Sequence, residues 1–116
     1  MARRLTNLDH LRRLCLALPE AQEIETWGEP TMRVRAKIFC FPSQTAMMVK
    51  ADRDELAALL GDPRFRPAPY LARGGWVSMT FPTDQPIDWD EIDELVRTSY
   101  CLIAPKKLGA LVSPPT

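Results

Sequence analysis

The side chains that could carry out acid–base or nucleophilic chemistry are few in this sequence and lie far apart. The chain has one histidine, His10, and three cysteines, Cys15, Cys40 and Cys101. His10 and Cys15 fall within one predicted helix, where their spacing turns them to different sides, so they form a poor base–nucleophile pair. The sequence contains no paired-cysteine motif, HExxH motif or histidine cluster. These residues therefore predict no catalytic set, no metal site and no cofactor.

The densest group of carboxylates opens the last predicted helix. It consists of Asp88, Asp90, Glu91, Asp93 and Glu94. On a helix these side chains spread around the axis, and at its N-terminus they compensate the positive end of the helix dipole. The group therefore predicts the start of a helix rather than a site for a hard cation.

The segment from Phe65 to Trp76 has the residue types of a rigid binding loop. Pro67 and Pro69 fix the backbone φ angle, and the pair Gly74-Gly75 supplies a tight turn. The side chains available for binding just before and within this segment are Arg64, Arg66, Arg73, Tyr70 and Trp76. A stiff basic loop loses little entropy on binding and suits phosphates or carboxylates.

A structural interpretation of the same segment is equally open. Large aromatic side chains are usually mostly buried, in which case Tyr70 and Trp76 brace the loop and the arginines only solvate it. We expect the Trp76 ring to lie beneath residues 67–69, with its indole N–H bonded to a backbone carbonyl there.

Composition and charge narrow the class of protein. The formal net charge is zero, which argues against strong nonspecific adhesion to nucleic acid. Residues 30–83 are nevertheless net basic and residues 84–95 strongly acidic, a pattern that can give a folded protein one basic and one acidic side. No apolar run approaches the roughly 20 residues that span a bilayer, and no secretory signal follows the basic N-terminus. Because the cysteines lie among apolar residues, as reduced core thiols do, we expect a cytoplasmic protein with no membrane partner.

Periodicity and capping residues predict the elements that would position these side chains. Helical spacing runs from Thr6 to Pro19, and alternating strands with short turns run from Glu23 to Lys50. A short helix follows over residues 52–61, then a strand over 76–81 and a helix over 88–105. The pattern predicts an α+β domain, in which the N- and C-terminal helices pack on one face of an antiparallel meander.

The predicted domain is single, covers residues 1–108 and ends in a flexible tail over residues 109–116. The sheet face without helices is expected to be polar, with Arg33, Arg35 and Lys50 as candidates for it. These cations could contact phosphates or a partner's carboxylates. The alternative is that they only keep an exposed sheet soluble and monomeric.

Four separated motifs resemble the MmcQ/YjbR family of small bacterial proteins. They are Leu14–Pro19, Trp27–Phe39, Pro67–Tyr70 with Gly75–Val77, and Ser99–Leu108. The resemblance implies a frataxin-like, double-wing α+β fold, and DNA binding by analogy at the level of that fold. Many members have a basic run before the tryptophan, where this chain keeps one basic side chain, Arg73.

The resemblance and the charge pattern together favour a non-enzymatic DNA-binding domain that contacts phosphates through a basic sheet face and loop. The expected contact residues are Arg33, Arg35, Lys37, Arg64, Arg66, Arg73, Lys106 and Lys107. The alternative is a module that binds an acidic protein partner or a small ligand and has no nucleic-acid role. The zero net charge and the shortened basic run favour that alternative.

Overall fold

A computed structural model of the chain describes residues 5–112. The first helix, α1 (Asn7–Leu16), begins where the sequence predicts, because Thr6 closes a capping box with Asp9. The Thr6 hydroxyl accepts the Asp9 backbone N–H at 3.0 Å, and the Asp9 carboxylate accepts the Thr6 N–H at 3.3 Å. The helix buries Leu11 and Cys15 against the sheet and exposes its polar side.

Six antiparallel strands form one sheet in the order β1-β2-β3-β4-β6-β5. Their bounds are β1 (Gln22–Thr26), β2 (Glu29–Val34), β3 (Lys37–Pro42), β4 (Ala46–Lys50), β5 (Phe65–Pro67) and β6 (Trp76–Thr80). The first four strands form the predicted meander, and β6 pairs with β4. The α+β class predicted from the sequence is confirmed.

The strand β5 corrects the interpretation of residues 65–67 as part of a loop. Phe65 pairs with Met79 and Pro67 with Val77, so this short segment forms one edge of the sheet. Pro67 is tolerated because an edge strand has no neighbour on its outer side to receive an N–H. The remaining loop, residues 68–75, contains a 3₁₀ turn over Ala72–Gly74 and joins the two strands.

A β-bulge at Phe39 turns two consecutive side chains of β3 toward the helices. Met32 pairs with Cys40 and Arg33 with Ile38, which leaves Phe39 as the extra residue. Both Phe39 and Cys40 are fully buried. From Cys40 onward, the alternation along β3 is shifted by one residue, which places Phe41 on the face away from the helices.

The other helices are α2 (Arg53–Leu60), α3 (Trp89–Ile103) and α4 (Lys106–Gly109). Asp88 caps α3 by accepting the backbone N–H groups of Asp90 and Glu91, as the sequence predicts. Helices α1 and α3 pack on the same face of the sheet, and α4 packs on α3. The residues of the core beneath them include Leu11, Met32, Val49, Val77, Ile92, Val96 and Tyr100.

The prediction of a loose tail from residue 109 is wrong for residues 109–112. Gly109 completes α4, and Val112 is 6% exposed and belongs to the core. Burial of this apolar side chain holds the segment in place. The rest of the predicted tail, residues 113–116, lies outside the described residues. Between residues 5 and 112, no helix is long and apolar enough to cross a bilayer.

Candidate functional site

The side of the sheet away from α1 and α3, called the open face below, brings together side chains from five strands. Strand register places one row across β3, β4, β6 and β5, made of Phe41, Met48, Ser78 and Arg66. In the next row Lys50 pairs with Trp76, and beyond the bulge Ile38 pairs with Arg33. Apart from Arg66, which is exposed, these side chains are partly exposed to solvent.

An apolar strip, made of Phe41, Met48 and Trp76, crosses the middle of the open face. The Phe41 and Trp76 ring centroids are 5.7 Å apart, with an interplanar angle of 68°. Because these rings come from the two neighbours of β4, they meet above that strand. The expectation that the open face is polar is therefore wrong at its centre, since the bulge at Phe39 turns Phe41 outward.

Loop 68–75 borders the strip at Trp76, but the two predicted bracing residues behave differently. A Cβ added to Gly74 would lie 3.3 Å from Cδ1 of the Trp76 indole, so the 3₁₀ turn contacts this ring. Trp76 is only partly buried, and the hydrogen bonds of residues 5–112 include none from its indole N–H. Tyr70 is wholly exposed, at 105%, with a left-handed φ of 64°. Tyr70 therefore does not brace the loop, since its ring has no packing partner there.

Backbone hydrogen bonds fix both ends of the loop. The Ala68 N–H donates to the Trp76 carbonyl at 3.1 Å, and the Ala51 N–H donates to the Gly75 carbonyl at 3.0 Å. Gly75 has a φ of 83°, which L side chains rarely adopt. The loop can therefore present Tyr70 and the exposed Arg73 to solvent while its ends stay fixed to β4 and β6.

Two cations, Lys50 and Arg66, flank the apolar strip with their charges available. Neither lies within ion-pairing distance of a carboxylate in residues 5–112. Ser99 of α3 fixes the backbone of Lys50, because its hydroxyl accepts the Lys50 N–H at 2.9 Å and donates to the Phe39 carbonyl at 2.6 Å. None of the register positions between Ile38 and Arg66 on the open face is a carboxylate.

Arg33 also lies on the open face, but its guanidinium is bonded within the protein. Nη2 donates to the Thr26 hydroxyl at 2.9 Å, and Nε donates to the Thr31 hydroxyl at 3.1 Å. Nη1 donates to the Ala36 carbonyl at 3.2 Å. These bonds hold Arg33 across β1 and β2, so a phosphate contact there would compete with them.

Arg35 does not lie on the open face, contrary to expectation. Arg35 and Ala36 have φ angles of 50° and 68°, as a tight turn between β2 and β3 requires. The turn directs the Arg35 guanidinium to Glu20, whose two carboxylate oxygens accept it at 2.6 and 3.0 Å. This hydrogen bond is the main reason that the pKa of Glu20 is lowered.

Arg64 is the most strongly neutralised of the predicted contact residues. Its guanidinium contacts the Asp62 and Glu91 carboxylates, each at 2.7 Å. Hydrogen bonds from Arg64 lower the pKa of Asp62 to about 2. The cluster ties the start of β5 to the first turn of α3, which makes Arg64 a structural cation.

The remaining predicted contact residues are exposed but dispersed. Lys37 begins β3 directly after the turn, and Arg73 stands in the 3₁₀ turn beside Trp76. Lys106 and Lys107 lie on α4, in the helical layer behind the sheet. The predicted set therefore does not form one surface: Arg66 and Arg73 border the open face, whereas the α4 lysines do not.

Sequence reasoning missed Phe41 and Met48 because both lie in apolar runs that suggest burial. The signal in the sequence was the apolar run Phe39-Cys40-Phe41, because alternation along a strand cannot place all three side chains on one face. A bulge moves Phe41 outward, and the location of a bulge depends on strand pairing rather than on local sequence.

The residues considered for nucleophilic chemistry are engaged elsewhere. The His10 ring stacks on Trp89 with a centroid distance of 3.9 Å. Cys15 and Cys40 are fully buried, and a hydrogen bond between the two thiols, followed by burial, raises the pKa of Cys40. A raised thiol pKa leaves little thiolate and makes this cysteine a poor nucleophile.

A shallow apolar depression of about 340 Å³ lies at the β1–β2 end of the open face. Its lining includes Pro30, Phe41, Met47 and Met48. The nearby β1–β2 turn carries Trp27, which is 98% exposed with a φ of 55°. The open face therefore combines a basic half near Lys50 and Arg66 with a mostly apolar half near Pro30, where Glu29 also lines the depression.

Comparison with known proteins finds one matching family model and a solved structure of similar fold. The family model YjbR matches residues 16–102, which is most of the chain. A solved structure of the Deinococcus radiodurans protein DR2400, a DUF419 domain, superposes with a TM-score of 0.72 at 19% identity and covers 99% of this chain and 94% of that chain. At this identity the likeness establishes the fold alone. No curated protein matches the sequence.

Proposed function

We propose that this chain, which belongs to the YjbR family, is a non-enzymatic DNA-binding domain that binds through the open face. The observation that carries the proposal is the apolar strip of Phe41, Met48 and Trp76, flanked by Lys50 and Arg66, which pair with no carboxylate within residues 5–112. Aromatic faces suit bases and unpaired cations suit phosphates, so this one surface offers both kinds of contact that DNA needs.

The same observation favours DNA over an acidic protein partner. An acidic protein partner would need only cations to bind its carboxylates. On the open face the cations flank aromatic rings, on which a base can stack. Arg33, Arg35 and Arg64 already have partners within the protein. We therefore limit the expected phosphate contacts to Lys50 and Arg66 on the sheet and to Arg73 at its margin.

Salt dependence of binding tests this proposal. Fluorescence anisotropy with a labelled oligonucleotide, measured over a series of salt concentrations, gives the slope of log K against log salt. Each phosphate contact contributes about −0.7 on single strands and −0.9 on duplex. Lys50→Ala and Arg66→Ala should each weaken binding and reduce the slope by about one contact. A wild-type slope near zero, or no binding at about 50 mM salt, would contradict the proposal.

Arg97→Ala is the matched control, because it removes the same charge from the far side of the molecule. Arg97 lies on α3 and pairs with Asp93 at 3.1 Å. Its loss changes the net charge as much as the loss of Lys50 does. If all three variants weaken binding equally, net charge rather than the open face controls affinity.

The apolar depression near Pro30 favours a second candidate function, the binding of a protein segment or small ligand. Such a partner would occupy the half of the open face lined by Pro30, Phe41 and Met48, where no cation lines the depression. Binding there should resist salt and survive Lys50→Ala and Arg66→Ala, whereas Met48→Lys should abolish it. A partner whose binding weakens with salt and in Lys50→Ala and Arg66→Ala instead binds the half of the open face near these two cations.

A further inference from the structure

We infer that the open face takes single-stranded DNA, with bases stacked on Trp76 and Phe41, in preference to duplex. This inference rests on the proposed function and names its substrate class. It follows from the shape of the face, the chemistry of its centre and the number of its cations.

The open face is too broad to enter an undistorted DNA groove. Strands lie about 4.8 Å apart, so a sheet of six strands is roughly 24 Å wide from edge to edge. The major groove of B-DNA is about 12 Å wide and admits a helix or a two-stranded ribbon. A broad sheet face reaches bases most readily when they are splayed out from a single strand, since a duplex must first be bent and its groove widened to expose them.

The centre of the face offers surfaces for stacking rather than groups that read base edges. Phe41 and Trp76 meet at 68°, so their rings do not cover one another. Asparagine, glutamine and carboxylate side chains, which recognise base edges, are absent from the register row that contains Phe41, Met48, Ser78 and Arg66. Tyr70, wholly exposed on the loop that borders Trp76, adds another ring at the margin.

The sparse positive charge also matches a single strand. A duplex presents one phosphate per about 1.7 Å of axis, and its affinity depends on many cations acting together. The open face provides Lys50 and Arg66, with Arg73 at its margin, on a chain of zero net charge. Each base that stacks on an aromatic ring adds affinity, which compensates for the small number of phosphate contacts.

The deciding experiment compares labelled oligothymidine of about 12 nucleotides with a duplex of equal length by fluorescence anisotropy. We expect the single strand to bind at least about tenfold tighter, and Trp76→Ala to weaken it by about tenfold. Trp76→Phe, which keeps a ring, should restore most of the affinity. Trp27→Ala removes an exposed tryptophan from the β1–β2 turn and should leave binding unchanged.

A duplex that binds as tightly as the single strand would overturn this inference and leave the proposed function standing. Absence of binding to either oligonucleotide would overturn both. Thermal unfolding shows whether each variant is folded. If Trp76→Ala does not fold, Phe41→Leu serves in its place, because leucine keeps the apolar volume but removes the ring. Wild-type affinity in a folded Phe41→Leu or Trp76→Ala variant would also overturn the inference.

Discussion

Phe39 and Phe41 lie two positions apart on β3, yet they serve opposite faces of the sheet. Phe39 is fully buried, with its ring edge-on to Tyr100 at 5.3 Å, whereas Phe41 meets Trp76 on the open face. Strict alternation would place both rings on one side, and the bulge at Phe39 separates them. One side chain therefore stabilises the core, and the other is available for binding.

Arg64 and Arg66 repeat this contrast at the edge of the sheet. Arg64 is held by Asp62 and Glu91, whereas Arg66 lies on the open face without a carboxylate in the part of the chain that the structure describes. Both comparisons show that residue type alone does not mark a binding residue. The neighbours supplied by tertiary structure decide whether a ring or a charge remains available.

The largest difference between the two faces should appear in the stability of the phenylalanine variants. Phe39→Ala leaves a cavity in the core and should lower the free energy of unfolding by about 3–5 kcal/mol. Phe41→Ala should cost about 1 kcal/mol, the scale of a cross-strand pair on a partly exposed face. Urea denaturation of both variants measures the difference, and equal losses would show that the bulge does not separate these rings.

Ser99→Ala should give the next largest effect, because the Ser99 hydroxyl satisfies two backbone groups at the bulge. Its loss leaves the Phe39 carbonyl and the Lys50 N–H without that partner and should cost about 1–3 kcal/mol. Thr98→Ala removes a neighbouring hydroxyl with no such role and is the control. Similar unfolding midpoints for the two variants would contradict this account of the bulge.

Substitutions of Arg64 and Arg66 should change the free energy of unfolding by less than those of Phe39 and Ser99. Arg64→Met leaves the Asp62 and Glu91 carboxylates unpaired and should destabilise the protein by about 1–2 kcal/mol. Arg66→Met should change stability by no more than about 0.5 kcal/mol while weakening DNA binding. Thermal unfolding together with anisotropy separates these outcomes, and a stable Arg64→Met variant with weakened binding would reverse the assignment.

The acid dependence of stability should be the smallest of these effects. The pKa of Asp62 is lowered from 3.8 to about 2 in the folded protein, mainly by the hydrogen bond from Arg64. Because the pKa of this carboxyl is lower in the folded protein than in the unfolded chain, its ionised form stabilises the fold at pH values above the unfolded pKa. That contribution is lost as the pH falls from about 4 toward 2. Unfolding midpoints measured across this range should fall less steeply in Arg64→Met, and parallel profiles would contradict the role of this cluster.

The sequence was sufficient to predict the features that depend on local chemistry. Thr6 and Asp88 cap their helices, short turns join the strands of the meander, and the α+β class follows from the order of elements. These features are set by residues within a few positions of each other.

The candidate site was less predictable because it depends on distant pairings. Partners such as Glu91 for Arg64 lie 27 residues away, and the bulge that exposes Phe41 arises from the pairing of β2 with β3. The prediction for Tyr70 failed for another reason. The sequence does not show the positive φ of the turn in which this residue lies, so the aromatic residue resembles a buried anchor. Chemistry predicted the available residue types, and tertiary contacts determined which of them remain free.

A heteronuclear NMR titration of the wild-type protein with oligothymidine tests the central claim, that DNA binds the open face, most directly. We predict that the backbone amide signals of Phe41, Met48, Lys50, Arg66 and Trp76 shift together with those of loop 68–75, while the signals of α1 and α3 stay in place. Shifts confined to the helical layer, or spectra unchanged by a saturating excess of oligonucleotide, would contradict the claim.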